Sequence, residues 1–301
     1  MRPLVPLALL GFLAAATASE ARAEPGLTTR VPSEHVGEPV PVRVLLPPSY
    51  ARDEGRRYPV VYFLHDARGD ERILERKGVA RALLDGMRHG TVPEMIVVSP
   101  RGKGTWFVDA HDGRRRYASF LSEELVPWVD RSFRTVADRS GRAVTGISMG
   151  GYGALRWALS RPDLFSAAGG LSPAILQLNW QGIEKLPFFV RPSLKRVFGG
   201  SATDNALAVN DIYGLLLSRP ELSENAPHVL LRCGTEDEYR LGDLVGFLGK
   251  YLDAFGVAND VALDPGAHDW AYWRTSATEM VTALGQRIAG EARVAESGPR
   301  R

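Results

Sequence analysis

Cysteine is almost missing from this chain: one residue, Cys233, stands among 301. An intrachain disulfide is therefore excluded, and stability has to come from the core. Net charge is nearly missing too. Lys and Arg number 37 against 35 Asp and Glu, a balance of +2, and both signs are scattered. No basic face of the kind that holds nucleic acid is indicated. Metal-ligand spacing, a phosphate loop and a dinucleotide fingerprint are absent, so no metal and no cofactor is expected. Repeats and low-complexity linkers are absent as well. The chain lacks any apolar run long enough to span a bilayer comfortably.

One short apolar run does occur, at residues 4–16. Arg2 precedes it, and Ala21-Arg22-Ala23 follows just before Glu24. A positive start, a short apolar stretch and an A-x-A site make a secretory signal peptide over residues 1–23. The expectation is an exported protein, periplasmic or extracellular, with no membrane span after leader cleavage.

The chain as a whole has ordinary globular composition, 45% hydrophobic and 24% charged. Continuous apolar runs such as Pro59-Val60-Val61-Tyr62-Phe63-Leu64 mark strands buried on both faces. Further strands are expected at residues 40–46, 95–98, 143–145, 167–171, 228–232 and 261–263. Helical spacing separates most of them, as in Val79, Leu83, Leu84 and Met87. Strands alternating with helices predict a mostly parallel sheet covered on both faces. One α/β domain is expected over residues 24–290. Residues 172–226 break the rhythm and read as an insertion or partial lid, and residues 291–301 read as a flexible polar tail.

The chemistry is announced at residues 146–150, Gly-Ile-Ser-Met-Gly. An apolar strand precedes them and a helix-forming run follows, which is the strand–turn–helix setting of a nucleophile elbow. Ser148 would then be the nucleophile, and the Met149 amide would face developing negative charge from a helix N-terminus. A serine nucleophile needs a base and an acid that orients it. In this kind of fold they follow the serine in the order acid, then histidine. His268, on a Gly-containing turn after the last strand, fits the base, whereas His228 precedes the acid. Asp237, at a strand end, is the preferred acid, with Glu236, Glu238 and Asp269 as rivals. A second oxyanion donor is expected in the loop after the Pro59–Leu64 run, from Ala67. Asp66, Trp106, Trp180 and Trp270 are candidate substrate contacts. Cys233 reads as a small buried hydrophobe, Trp157 as a core residue of the elbow helix, and His65 as a border or packing residue of the oxyanion loop.

Five stretches occur in order: Leu46-Pro47-Pro48-Ser49-Tyr50, residues 58–65, residues 146–153, Cys233-Gly234-Thr235-Glu236-Asp237, and residues 266–273. Together they resemble the esterase D family of α/β-hydrolases, which includes feruloyl esterases, S-formylglutathione hydrolases and mycolyltransferases. The resemblance implies the α/β-hydrolase fold and a serine carboxylic-ester hydrolase acting on a small-molecule ester. It places the family's nucleophile on Ser148, its acid on Asp237, its base on His268 and its oxyanion amides on Met149 and Ala67. The family usually has glycine after the oxyanion-loop histidine; here the residue is Asp66. An acyltransferase using the same three residues, or a non-catalytic binding module, are the alternatives. Acyl and alcohol specificity and the oligomeric state stay open.

Overall fold

Among the strands buried at every residue, three lie side by side at the centre: β3 (Val60–Leu64), β5 (Arg142–Ile147) and β6 (Ala167–Leu171). Without a solvent face they cannot alternate, and they form the middle of an eight-stranded sheet in the computed structural model. It describes residues 26–175, 188, 190–199 and 209–297. The other strands are β1 (Leu27–Val31), β2 (Val40–Leu45), β4 (Ile96–Pro100), β7 (His228–Gly234) and β8 (Asn259–Asp264), in spatial order β1-β2-β4-β3-β5-β6-β7-β8. From β4 to β8 all pairings are parallel, whereas β1 and β2 join antiparallel at one edge. The mostly parallel sheet is as expected. The short polar strand β1, Leu-Thr-Thr-Arg-Val, carries no apolar pattern and was not expected.

Two apolar layers cover the sheet. On one face lie helix α1 (Ile73–Arg76), helix α2 (Val79–His89) and the C-terminal helix. Leu83, Leu84, Met280 and Leu284 pack there onto Val61 and Phe63. On the other face, Tyr62, Leu64 and Val144 meet Leu155, Trp157 and Phe165. Each large side chain so buried contributes on the order of 2 kcal/mol. A helical stretch runs there from α3 (Tyr117–Ser119) through a π-helical turn (Phe120–Leu125) into α4 (Val126–Ser132). Helix α5 (Met149–Ser160) follows the elbow, and Trp157 is 2% exposed on its core face.

The segment expected as an insertion holds α6 (Arg191–Phe198), α7 (Ile212–Ser218) and α8 (Leu222–Asn225). Their buried residues Leu194, Phe198, Ile212 and Leu222 belong to the main core. The remaining helices are α9 (Leu241–Ala254) and α10 (Trp270–Ser297). The polar tail expected from Glu291 instead continues α10 as far as Ser297. Ala, Arg and Glu are strong helix formers, and Arg287 pairs with Glu291 one turn later at 3.9 Å. No described helix is long and apolar enough to cross a membrane.

Candidate active site

The parallel strands end together, and the loops at their C-terminal ends meet there, as ligand sites do in such sheets. Ser148 sits between β5 and α5 at φ 54°, ψ −114°, a backbone conformation that costs a non-glycine residue energy. Three hydrogen bonds hold it. Its amide donates to Leu171 O at 2.9 Å, and its carbonyl accepts from Tyr152 N and Ala174 N, both at 3.0 Å. The flanking glycines make room for the turn. A Cβ on Gly146 would lie 2.4 Å from the Gly150 backbone, and one on Gly150 would lie 2.1 Å from Leu64 O.

His268 and Asp237 converge on this serine from the turns after β8 and β7. His268 Nε2 lies 2.9 Å from Ser148 Oγ, and His268 Nδ1 lies 2.7 Å from Asp237 Oδ2. With the carboxylate accepting from Nδ1–H, Nε2 is left as the acceptor for the serine proton. Burial pushes the Asp237 carboxyl up. The His268 hydrogen bond and charge, the Tyr239 amide and the Cys233 thiol outweigh it and hold the group below the usual carboxylate range. Cys233 itself is driven up to about 12, chiefly by burial and then by Asp237, so it stays a thiol. Of the rival acids, Glu238 accepts from the His268 backbone amide at 3.1 Å, and Asp269 Oδ1 accepts from Ala271 N and Tyr272 N. Neither faces the imidazole ring.

Met149 begins α5, and Ala67 lies in the loop after β3. Among the described residues neither amide has a hydrogen-bond partner, and Ala67 and Ser148 line one groove of about 560 Å³. The groove is walled further by Ile73, Ala174, Leu241, Trp270 and Trp273. Trp270 thus lies where a substrate contact was expected, with Lys77 Nζ 5.4 Å from its ring centre. Asp66 also borders the groove.

Trp106 does not wall it, which corrects the expectation. It is 2% exposed, its ring stands edge-on to Tyr152 and Phe198, and its Nε1 donates to Ser193 Oγ at 3.0 Å. Trp106 and Phe107 both take positive φ, 55° and 58°, a turn that carries both rings into the core. Bulky residues rarely adopt that conformation, so nothing in the local sequence signals it. Trp180 lies outside the described residues. Two aromatic contacts were missed: Trp273 and Tyr239 stand edge-on to the His268 ring at 4.6 and 5.0 Å. Their signal was proximity in the chain to His268 and Asp237. Trp273 is further fixed by donating Nε1–H to Ser172 Oγ at 3.1 Å.

His65 clamps the Ala67 loop. Its Nδ1–H donates to Asp66 O at 2.7 Å, and its Nε2 accepts from Gly102 N at 2.9 Å, so the ring is neutral. Burial lowers its pKa against the opposing pull of Asp66, Asp70 and Glu71. The folded value thus lies below the unfolded one of about 6.5. The stabilising difference is complete above that value and is lost as pH falls toward the folded one. Unfolding free energies between about pH 7.5 and about pH 5.5 should therefore fall more steeply for wild type than for His65→Gln, by up to about 1.4 kcal/mol per pH unit. Parallel lines for the two proteins would refute this.

An esterase of Mycobacterium tuberculosis strain H37Rv is 38% identical over 145 residues, 46% of this chain; the aligned stretch spans 30% of that protein's length. An acetyl esterase of Caldicellulosiruptor saccharolyticus is 27% identical over 222 residues, 71% of this chain and 78% of that one. Among solved structures, a ferulic acid esterase has a TM-score of 0.73 at 21% identity, covering 87% of this chain and 98% of its own. A fluorophosphonate-binding serine hydrolase of Staphylococcus aureus has a TM-score of 0.71 at 22% identity, covering 87% and 99%. At these identities the structures show a shared α/β-hydrolase fold. Residues 33–284 match the family model described as Putative esterase, and over that length the chain belongs to the Putative esterase family.

Proposed function

We propose that this chain is an exported serine carboxylic-ester hydrolase working through an acyl-enzyme on Ser148. The observation that carries the reading is the line from Ser148 Oγ through His268 to Asp237, 2.9 and 2.7 Å, beside two amides without partners among the described residues. Ser148 Oγ attacks the ester carbonyl while His268 Nε2 takes its proton. The carbonyl oxygen becomes an oxyanion, which the Met149 and Ala67 amides stabilise. The imidazolium returns its proton to the leaving alcohol oxygen, and the acyl group stays on Ser148. Water, deprotonated by His268, then attacks the acyl carbonyl; the bond to Ser148 Oγ breaks, the imidazolium returns the proton to Oγ, and the acid leaves. Asp237 keeps Nδ1–H oriented and offsets the imidazolium charge, as the acid does in such triads. Kinship with esterases, including an acetyl esterase, supports the ester as substrate. Export is read from Arg2, the apolar run at residues 4–16 and Ala21-Arg22-Ala23.

A fluorophosphonate probe tests the reading directly. Wild type should be labelled, and Ser148→Ala should not. An unlabelled wild type, or equal labelling of the variant, sinks it. A panel of p-nitrophenyl esters run with and without an added alcohol then separates hydrolysis from transfer. Free acid should be the product in both arms.

A further inference from the structure

Asp66 is a groove residue to which the proposed chemistry gives no role. It is 6% exposed and its two carboxylate oxygens are unequal. Oδ1 accepts from the Arg68 amide at 2.8 Å, whereas Oδ2 is buried and has no hydrogen-bond partner among the described residues. A buried carboxylate oxygen left unpaired is destabilising and calls for a reason. The Asp66 carbonyl accepts from two sides, from His65 Nδ1 at 2.7 Å and from Gly69 N at 3.0 Å. That carbonyl belongs to the same peptide group as the Ala67 N–H. The bond is trans, so the N–H points opposite to the C=O. Two donors on the carbonyl therefore aim the Ala67 amide, and the Asp66 side chain pins the next amide along.

We infer that Asp66 is a positioning residue for the Ala67 oxyanion amide, an inference that rests on the esterase reading. Where the resembling family usually has glycine, this chain holds the loop with a side-chain acceptor on the Arg68 amide. The arrangement has a drawback. The carboxylate belongs to the residue before Ala67 and borders the same groove in which an oxyanion would develop, and like charges repel. Orientation needs the oxygen; the charge opposes catalysis. Asparagine offers the same Oδ1 acceptor without the charge.

The variants Asp66→Ala, Asp66→Asn and Asp66→Ser separate these effects in wild-type background, assayed on p-nitrophenyl acetate. Asp66→Ala should lower kcat by about tenfold and leave KM within about twofold, because the Ala67 amide acts in the transition state. Asp66→Asn should match or exceed wild-type kcat. Asp66→Ser, with a shorter oxygen, should fall between wild type and alanine. An unchanged kcat in Asp66→Ala, an effect confined to KM, or an Asp66→Asn as slow as alanine overturns the inference. If the alanine variant does not fold, the asparagine and serine pair decides: serine equal to wild type overturns it. A wild type that neither hydrolyses the ester nor takes a fluorophosphonate label brings down the esterase reading itself. An active wild type with a flat variant series brings down the Asp66 role alone.

Discussion

Ser148→Ala and His268→Ala should each leave no more than about 10⁻⁴ of wild-type kcat toward an activated ester, and the double variant should lose little more. The reason is that nucleophile and base act as one unit. Ser148 Oγ without His268 Nε2 at 2.9 Å keeps its proton, and His268 without the serine has no nucleophile to activate. Asp237→Asn should be nearly as severe, about 10³- to 10⁴-fold, because an amide can donate to Nδ1 and so select the wrong tautomer. The activity that survives comes from the Met149 and Ala67 amides and the groove, which the substitutions leave in place. Asp237 is held below the usual carboxylate range, so its charge on the Nδ1 side persists where an ordinary carboxylate begins to protonate. Steady-state kinetics on p-nitrophenyl acetate, with circular dichroism confirming each fold, measures all of this. A single variant within tenfold of wild type, or a double variant whose losses multiply, counts against the unit.

How this site could be read beforehand depends on the residue. Ser148 was legible because its signal is local: an apolar strand, a tight turn and a helix in immediate succession. His268 was legible because the fold's chain order left one candidate after the acid. Asp237 had three rivals within reach, and what separates them is three-dimensional. Asp237 faces Nδ1, while Glu238 accepts from the His268 backbone and Asp269 caps α10. Trp106 was misplaced because its direction depends on positive φ at two bulky residues, which no periodicity encodes. The sheet's interior was plain from continuous apolar runs. Strand β1 was hidden because an edge strand with one strongly buried residue, Val31, needs only backbone pairing to β2. The helical extent of α10 to Ser297 was not foreseen because polarity was read as a flexible tail, although Glu, Ala and Arg form helix well.

Gly150→Ala should destabilise the protein by about 3 kcal/mol or more and abolish most activity, against the direction that helix propensity alone predicts. Gly150 lies in the first turn of α5, where alanine would ordinarily gain up to about 1 kcal/mol. Space decides otherwise. The added Cβ would stand 2.1 Å from Leu64 O, 2.5 Å from Leu64 C and 2.6 Å from His65 O. All three atoms are backbone, so no rotamer change can relieve the clash. Either α5 lifts away from β3, or the end of β3 moves and carries the His65–Ala67 loop with it. The first unseats Ser148 and Met149, and the second unseats Ala67, so stability and rate fall together. Gly246→Ala supplies the control. That glycine is inside α9, and a Cβ there meets nothing within 4 Å. It should follow propensity and raise stability by about 0.5 to 1 kcal/mol. Thermal melts should place Gly150→Ala lower by about 6 °C or more and Gly246→Ala higher by about 1 to 4 °C. A Gly150→Ala protein that melts with or above wild type would mean that the elbow does not bring α5 against β3 as closely as 2.1 Å requires.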